Sequence, residues 1–257
     1  MPKLNRDGVE IYYEVHGEGP ALLLTHGFSS TSQMWAGQVG PFSKAFKLIT
    51  WDMRGHGESD YPADPAAYSE AATVDDMAAL LDAVGAEAAI IGGLSLGGYM
   101  SLAFHRAYPH RTRALLIIDT GPGYKSDEAR EGWNANARKT GDRFDARGLG
   151  DLAGASAERR QVRHRDATGL AHAARGMLAQ RDSRVIESLP AIGVPSLVVV
   201  GADDAPFLNA SAYMAAKIPG AKLVTIPDAG HAANIDQPEA FNAAMLGFLT
   251  ETGLASG

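Results

Sequence analysis

The stretch Gly93-Leu94-Ser95-Leu96-Gly97 decides how this chain is read. Alone, a serine with glycines two positions away on either side is a modest pattern. Its surroundings sharpen it. The apolar run Ala88–Ile91 leads in and has the length and content of a buried strand. A helical pattern from Gly97 to Tyr108 leads out and is stopped by Pro109. A serine on so tight a strand-to-helix turn leaves no room for side chains at positions 93 and 97, hence the glycines. Its hydroxyl then stands clear of the sheet. The N–H of Leu96 points into the same space from a helix N-terminus.

Outward from this turn the same rhythm repeats. The runs Ala21–Thr25, Lys47–Trp51, Ala114–Ile118, Ser196–Val200 and Lys222–Ile226 are short, rich in Leu, Ile and Val, and set between Gly or Pro residues. Strands buried on both faces of a parallel sheet have this composition. Helical patterns separate them. Thr73 is placed to cap one helix, with Asp75 and Asp76 in its first turn, Met77, Leu80, Leu81 and Val84 on one face, and Gly85 at its end. Another spans Pro238 to Thr250. At the N-terminus Val9, Ile11 and Tyr13 alternate with polar neighbours behind an Asp7-Gly8 turn, which predicts a hairpin. The expected architecture is α/β, with a mostly parallel, doubly wound sheet.

Residues 121–189 break the rhythm. They hold no strand-like run and are helical in pattern. They carry 11 arginines and 2 lysines against 10 acidic residues, a net of +3, whereas the rest of the chain is at -10. The expectation is a helical lid (121–189) inserted into a core formed by 1–120 and 190–257. Arg159, Arg160, Arg163 and Arg165 crowd one short part of it. One or two of them facing inward would seat an anionic group on a substrate, because a guanidinium grips a carboxylate with a planar fork.

A serine hydroxyl needs a base to become a nucleophile near neutral pH. Of eight histidines, His231 is best placed, on the loop Pro227–Ala233 just after the last predicted strand. The acid that orients it is expected to be Asp204, directly after the strand Ser196–Val200. Asp203 adjoins it, and Asp119 ends an earlier strand, so both stay open as rivals. A second oxyanion donor is expected from the Phe28 N–H, after Gly27 turns the chain. His26 beside it reads as structural.

Other chemistries fit poorly. There is no cysteine, which excludes a thiol nucleophile and thiolate metal sites. No dinucleotide fingerprint or phosphate-binding loop is complete, and His164 and His172 lack metal-ligand spacing, so no cofactor or metal is expected. A net charge of -7 opposes nucleic-acid binding. No apolar run is long enough to cross a bilayer, and the first residues lack the apolar core of a leader. The expectation is a cytoplasmic protein acting on a small molecule.

Five segments together resemble the α/β-hydrolase superfamily: His26-Gly27-Phe28, Asp52–Ser59, Gly93–Gly98, Gly201–Asp204 and Gly230-His231. The resemblance implies Ser95 as nucleophile, Asp204 as acid, His231 as base, and the N–H groups of Phe28 and Leu96 as oxyanion hole. It implies a structural turn, without catalysis, for Asp52–Ser59. Within the superfamily the chain is similar to 3-oxoadipate enol-lactone hydrolases and related small-ester hydrolases. The implied activity is cleavage of a carboxylic ester or lactone. The alternatives are a C–C bond hydrolase of a ring-fission product, a cofactor-free perhydrolase, and a non-enzymatic ligand receptor that keeps the triad. Ser95 stands where haloalkane dehalogenases and epoxide hydrolases carry Asp, which argues against both.

Overall fold

The computed structural model describes residues 2–153, 159 and 162–255. Eight strands form one sheet: β1 (Lys3–Arg6), β2 (Val9–His16), β3 (Ala21–Thr25), β4 (Lys47–Trp51), β5 (Ala89–Leu94), β6 (Thr112–Ile118), β7 (Ser196–Gly201) and β8 (Lys222–Ile226), in the order β1-β2-β4-β3-β5-β6-β7-β8. The β1–β2 and β2–β4 pairs are antiparallel and the rest are parallel. The β1–β2 hairpin turns through Asp7 and Gly8, both at positive φ (53° and 85°), as a two-residue hairpin turn matching the sheet twist requires.

The helices are α1 (Ala36–Phe42), α2 (Glu70–Ala83), α3 (Leu96–Ala107), α4 (Asp127–Arg147), α5 (Ala167–Ala173), α6 (Arg184–Ser188), α7 (Ala205–Lys217), α8 (Ala233–Asp236) and α9 (Pro238–Glu251). Successive strand side chains go to opposite faces. Leu23, Ile91, Leu115, Ile117 and Val198 pack with residues of α2, α3 and α7. Leu22, Leu24, Ile90, Leu116 and Val199 pack with residues of α1 and α9 on the other face. Both faces are thus covered, which is why these strands are apolar throughout.

Two element boundaries differ from expectation by three residues or more. Helix α2 starts a turn earlier than Thr73. Ser69 caps it, its Oγ accepting the Ala72 N–H at 3.1 Å, and Glu70 occupies the first turn. Thr73 lies inside the helix and returns a hydrogen bond to the Ser69 carbonyl. Asp76 is buried, its carboxylate held by Arg54 at 2.6 and 2.8 Å, so it serves packing rather than the helix start. The strand before Ser95 runs on to Leu94, and α3 begins at Leu96, so the serine is the whole of the connection.

Between β6 and β7 every described element is helical. Helix α4 lies against α5 and the π-helical turn Ala174–Leu178 that continues it. The carboxyl ends of the parallel strands converge on one edge of the sheet, where open α/β sheets place their ligands. Gly27 and Phe28 follow β3 there, Ser95 follows β5, Asp119 follows β6 and Asp204 follows β7.

Candidate active site

Ser95 has φ 55° and ψ -116°, a conformation that costs a non-glycine residue free energy and persists only where its surroundings impose it. They do so here. Its N–H donates to the Ile118 carbonyl at 2.9 Å, and its carbonyl accepts from the Tyr99 N–H and the Thr120 hydroxyl. A β-carbon at Gly93 would come within 2.4 Å of the Gly97 carbonyl carbon, and one at Gly97 within 2.1 Å of the Thr25 carbonyl oxygen. The turn closes only with glycine at both positions.

His231 Nδ1 donates to Asp204 Oδ2 at 2.8 Å. Asp204 is buried and Asp203 is exposed. The Asp203 N–H is anchored to the Ala229 carbonyl, which helps fix the histidine loop against the end of β7. Phe207, in the first turn of α7, stacks on the imidazole with ring centroids 4.9 Å apart and planes 25° apart. Asp119 is not the partner of His231. Its carboxylate accepts the Gly201 N–H at 2.8 Å and the Ala233 N–H at 3.3 Å, so it ties the end of β7 to the residues just past His231. Burial pushes the Asp119 carboxyl up to about 7, against the lowering effect of those two N–H groups and of His231 nearby.

The loop after β3 is held by three histidines in ring contact, one pair tilted and the other edge-on. His26 Nδ1 donates to the Gly27 carbonyl, and its Nε2 accepts the Met53 N–H. His56 Nδ1 donates to the Arg54 carbonyl, and its Nε2 accepts the Ser29 N–H. His164 Nε2 donates to the Ser29 carbonyl, and its Nδ1 accepts the Gly57 N–H. Ring centroids are 5.0 Å apart for His26 and His56, and 5.7 Å for His56 and His164. Burial lowers all three below the usual histidine range, His26 to about 3, so each is a neutral donor–acceptor with both nitrogens engaged. That leaves none of them a nitrogen for a metal. The Asp52–Ser59 segment is structural too: Asp52 accepts the N–H groups of Ser32 and Glu58 at 2.6 and 2.9 Å.

This scaffold brings the loop to the serine, since a β-carbon on Gly27 would sit 3.4 Å from the Ser95 β-carbon. Phe28, Ser95 and His231 line one mouth together with Trp133, Arg159 and Phe207. Leu96 and Ser95 line a cavity of about 110 Å³ that runs beneath residues 120–124 to Gln180. The sequence offered no sign of Phe207, Leu178 or Gln180 in the site. Trp133 alone carries a sequence signal, as the one tryptophan of the polar helix α4.

The arginines divide. Arg159 lines the mouth, and its Nε donates to Ser29 Oγ at 2.6 Å. Arg165 binds the core at Asp60 and the Ser59 carbonyl and covers the Tyr61 ring. Arg163 lies by Asp52 and Glu58, away from Ser95. Arg160 lies outside the described residues.

A strand–serine–helix turn and an Asp–His pair that meet at one mouth, at the carboxyl edge of an eight-stranded sheet, define the α/β-hydrolase class. A model of the alpha/beta hydrolase family matches residues 22–244, and the chain belongs to that family. It is 29% identical to a putative 2-succinyl-6-hydroxy-2,4-cyclohexadiene-1-carboxylate synthase of Bacillus subtilis, over 95% of this chain and 96% of that one. It is 27% identical to 3-oxoadipate enol-lactonase 1 of Acinetobacter baylyi, over 95% of each. A thermophilic esterase from Thermogutta terrifontis, solved with malate bound, superposes with a TM-score of 0.83 at 30% identity, over 98% of this chain and 99% of that one. No helix among the described residues is long and apolar enough to cross a membrane.

Proposed function

We propose that this chain is a serine hydrolase that cleaves a carboxylic ester or lactone through an acyl-enzyme on Ser95. The observation that carries it is the 2.8 Å Asp204–His231 hydrogen bond at the mouth that also holds Ser95. The Asp204 carboxylate fixes the tautomer in which His231 Nε2 is the basic nitrogen, and it stabilises the imidazolium that forms. Ser95 Oγ attacks the carbonyl carbon as His231 takes its proton. The oxyanion rests on the N–H groups of Phe28 and Leu96. The C–O bond then breaks, and His231 returns the proton to the leaving oxygen. Water, deprotonated by His231, releases the acid from Ser95. In a lactone the leaving oxygen stays tethered, so one product leaves.

The 121–189 segment acts as the lid of this site, since Trp133, Arg159, Leu178 and Gln180 come from it. The kinship with an enol-lactonase and an esterase supports an oxygen ester as the substrate. Turnover of p-nitrophenyl acetate by the whole chain tests this. Release of p-nitrophenol that Ser95→Ala abolishes is expected, with a loss on the order of 10³-fold or more in kcat. No release, or a Ser95→Ala variant retaining more than a tenth of the rate, overturns it.

A further inference from the structure

The cavity of about 110 Å³ and the mouth share Ser95, Trp133, Leu178, Pro206 and Phe207 but differ in what else lines them. The mouth includes His231 and Phe28, and the cavity includes neither. His231 must protonate the leaving oxygen, so the leaving group lies toward the mouth. The acyl group is left with the cavity. Its size is near that of a cavity that takes a benzene-sized molecule, which sets an acyl group of roughly six heavy atoms or fewer.

No described residue lining the cavity carries a charge. Most of the wall is apolar, from Leu96, Pro122, Leu178, Pro206, Phe207 and Ala210. Its polar groups are mostly committed elsewhere. The Tyr99 hydroxyl donates to Glu70 at 2.8 Å, Thr120 Oγ1 to the Ser95 carbonyl at 2.6 Å, and Trp133 Nε1 to the Leu178 carbonyl at 2.8 Å.

Tyr124 and Gln180 are the exceptions, and of the two only Gln180 is buried, Tyr124 being 37% exposed. Gln180 is 7% exposed, and its carboxamide oxygen is buried without a hydrogen-bond partner. Its backbone is clamped from α4, with its N–H donating to Asn134 Oδ1 and its carbonyl accepting from Asn134 Nδ2, both at 2.8 Å. That clamp aims the side chain under Gly123, where a β-carbon would lie 2.9 Å from the amide oxygen. A buried, unpaired amide oxygen is destabilising in the free protein, and this residue lies on the wall of the cavity that Ser95 opens into.

We propose that Gln180 is a specificity-determining residue that reads a neutral hydroxyl on the acyl half of the substrate. The terminal torsion of glutamine is soft, so the carboxamide turns either its oxygen or its NH₂ to the cavity. A hydroxyl both donates and accepts and matches either orientation. A carboxylate would enter without a counter-charge. The role rests on Ser95 being the acyl acceptor.

The test is a series of p-nitrophenyl esters with one leaving group and acyl chains of three to six carbons, each with a terminal methyl, hydroxyl or carboxylate. Turnover of the acetate by wild type tests the hydrolase reading by itself. Wild type is expected to favour the hydroxyacyl ester over its methyl counterpart at one chain length by about tenfold in kcat/KM, and over the carboxylate by more. Gln180→Leu and Gln180→Met should cancel or invert that preference while melting no lower than wild type, because each removes an unpaired buried amide. A preference that survives in either folded variant overturns the assignment. So does a wild type that prefers methyl at every length, or a pair of variants that both fail to fold. If the acetate itself is not hydrolysed, the hydrolase reading falls and this role falls with it.

Discussion

Asp204 and Asp119 look alike in sequence, each directly after or near the end of a strand that feeds the site. Their surroundings separate them. Asp204 accepts from His231, whereas Asp119 accepts two backbone N–H groups. Asp204→Asn should therefore cost on the order of 10⁴-fold in kcat, since the amide stabilises neither the imidazolium nor the productive tautomer. Asp203→Asn, on an exposed side chain, should cost less than threefold. Asp119→Asn should fall between, by loosening two loops, and should show mainly as lower thermal stability. Steady-state kinetics and melting of the three variants check this; an Asp119→Asn variant as inactive as Asp204→Asn would move the acid to β6. The elbow was legible because steric exclusion of a β-carbon is a local property, written as glycine. The choice between two aspartates depends on hydrogen bonds to residues 27 and 114 positions away, and no local pattern carries those.

At the scale of elements, the strands were legible because both faces of the sheet are covered, leaving unbroken apolar runs. The start of α2 was not, since Ser69 and Thr73 are both competent caps one turn apart and tertiary contacts of Asp76 decide between them. The helical segment between β6 and β7 was read by charge, and charge did not say which arginines turn inward. Of Arg159, Arg163 and Arg165, only Arg159 borders the mouth, the side to which the proposal assigns the leaving group. Its Nε–Ser29 hydrogen bond orients the guanidinium fork. An ester whose alcohol half bears a carboxylate should therefore outpace its neutral methyl ester by about tenfold in kcat/KM, as one charge-assisted hydrogen bond of roughly 1.5–3 kcal/mol allows. Arg159→Gln should erase that margin and high salt should shrink it. Equal rates for both esters in wild type would remove Arg159 from recognition.

Across the whole molecule, the site is built on neutral histidines, and that gives it an acid-sensitive side. His26, His56 and His164 are all held below the usual histidine range by burial, whereas each takes a proton near pH 6.5 when unfolded. The unfolded chain then binds more protons as pH falls, and each imidazole withdraws stability from about pH 6.5 downward. Asp119 acts in the opposite sense: its folded pKa is raised, so the stability linked to its proton is lost as pH rises toward about 7. Burial also raises Asp52 and Asp76, which share that sense. A single-site comparison isolates one histidine. Relative to His164→Gln, wild type should lose stability between pH 7.5 and 5.5, by at most about 1.4 kcal/mol per pH unit. Urea unfolding at the two pH values measures this, and a wild type that gains on the variant as pH falls would contradict a buried neutral His164. The proposed function turns on one chemical event, the acylation of Ser95. The most direct test is to treat the protein with a fluorophosphonate, whose tetrahedral phosphorus imitates the oxyanion intermediate, and to locate the adduct by peptide mass spectrometry. The account predicts a single adduct on the peptide that carries Ser95, absent in Ser95→Ala and formed far more slowly in Asp204→Asn. An adduct on another serine, or none on protein that hydrolyses esters, would contradict it.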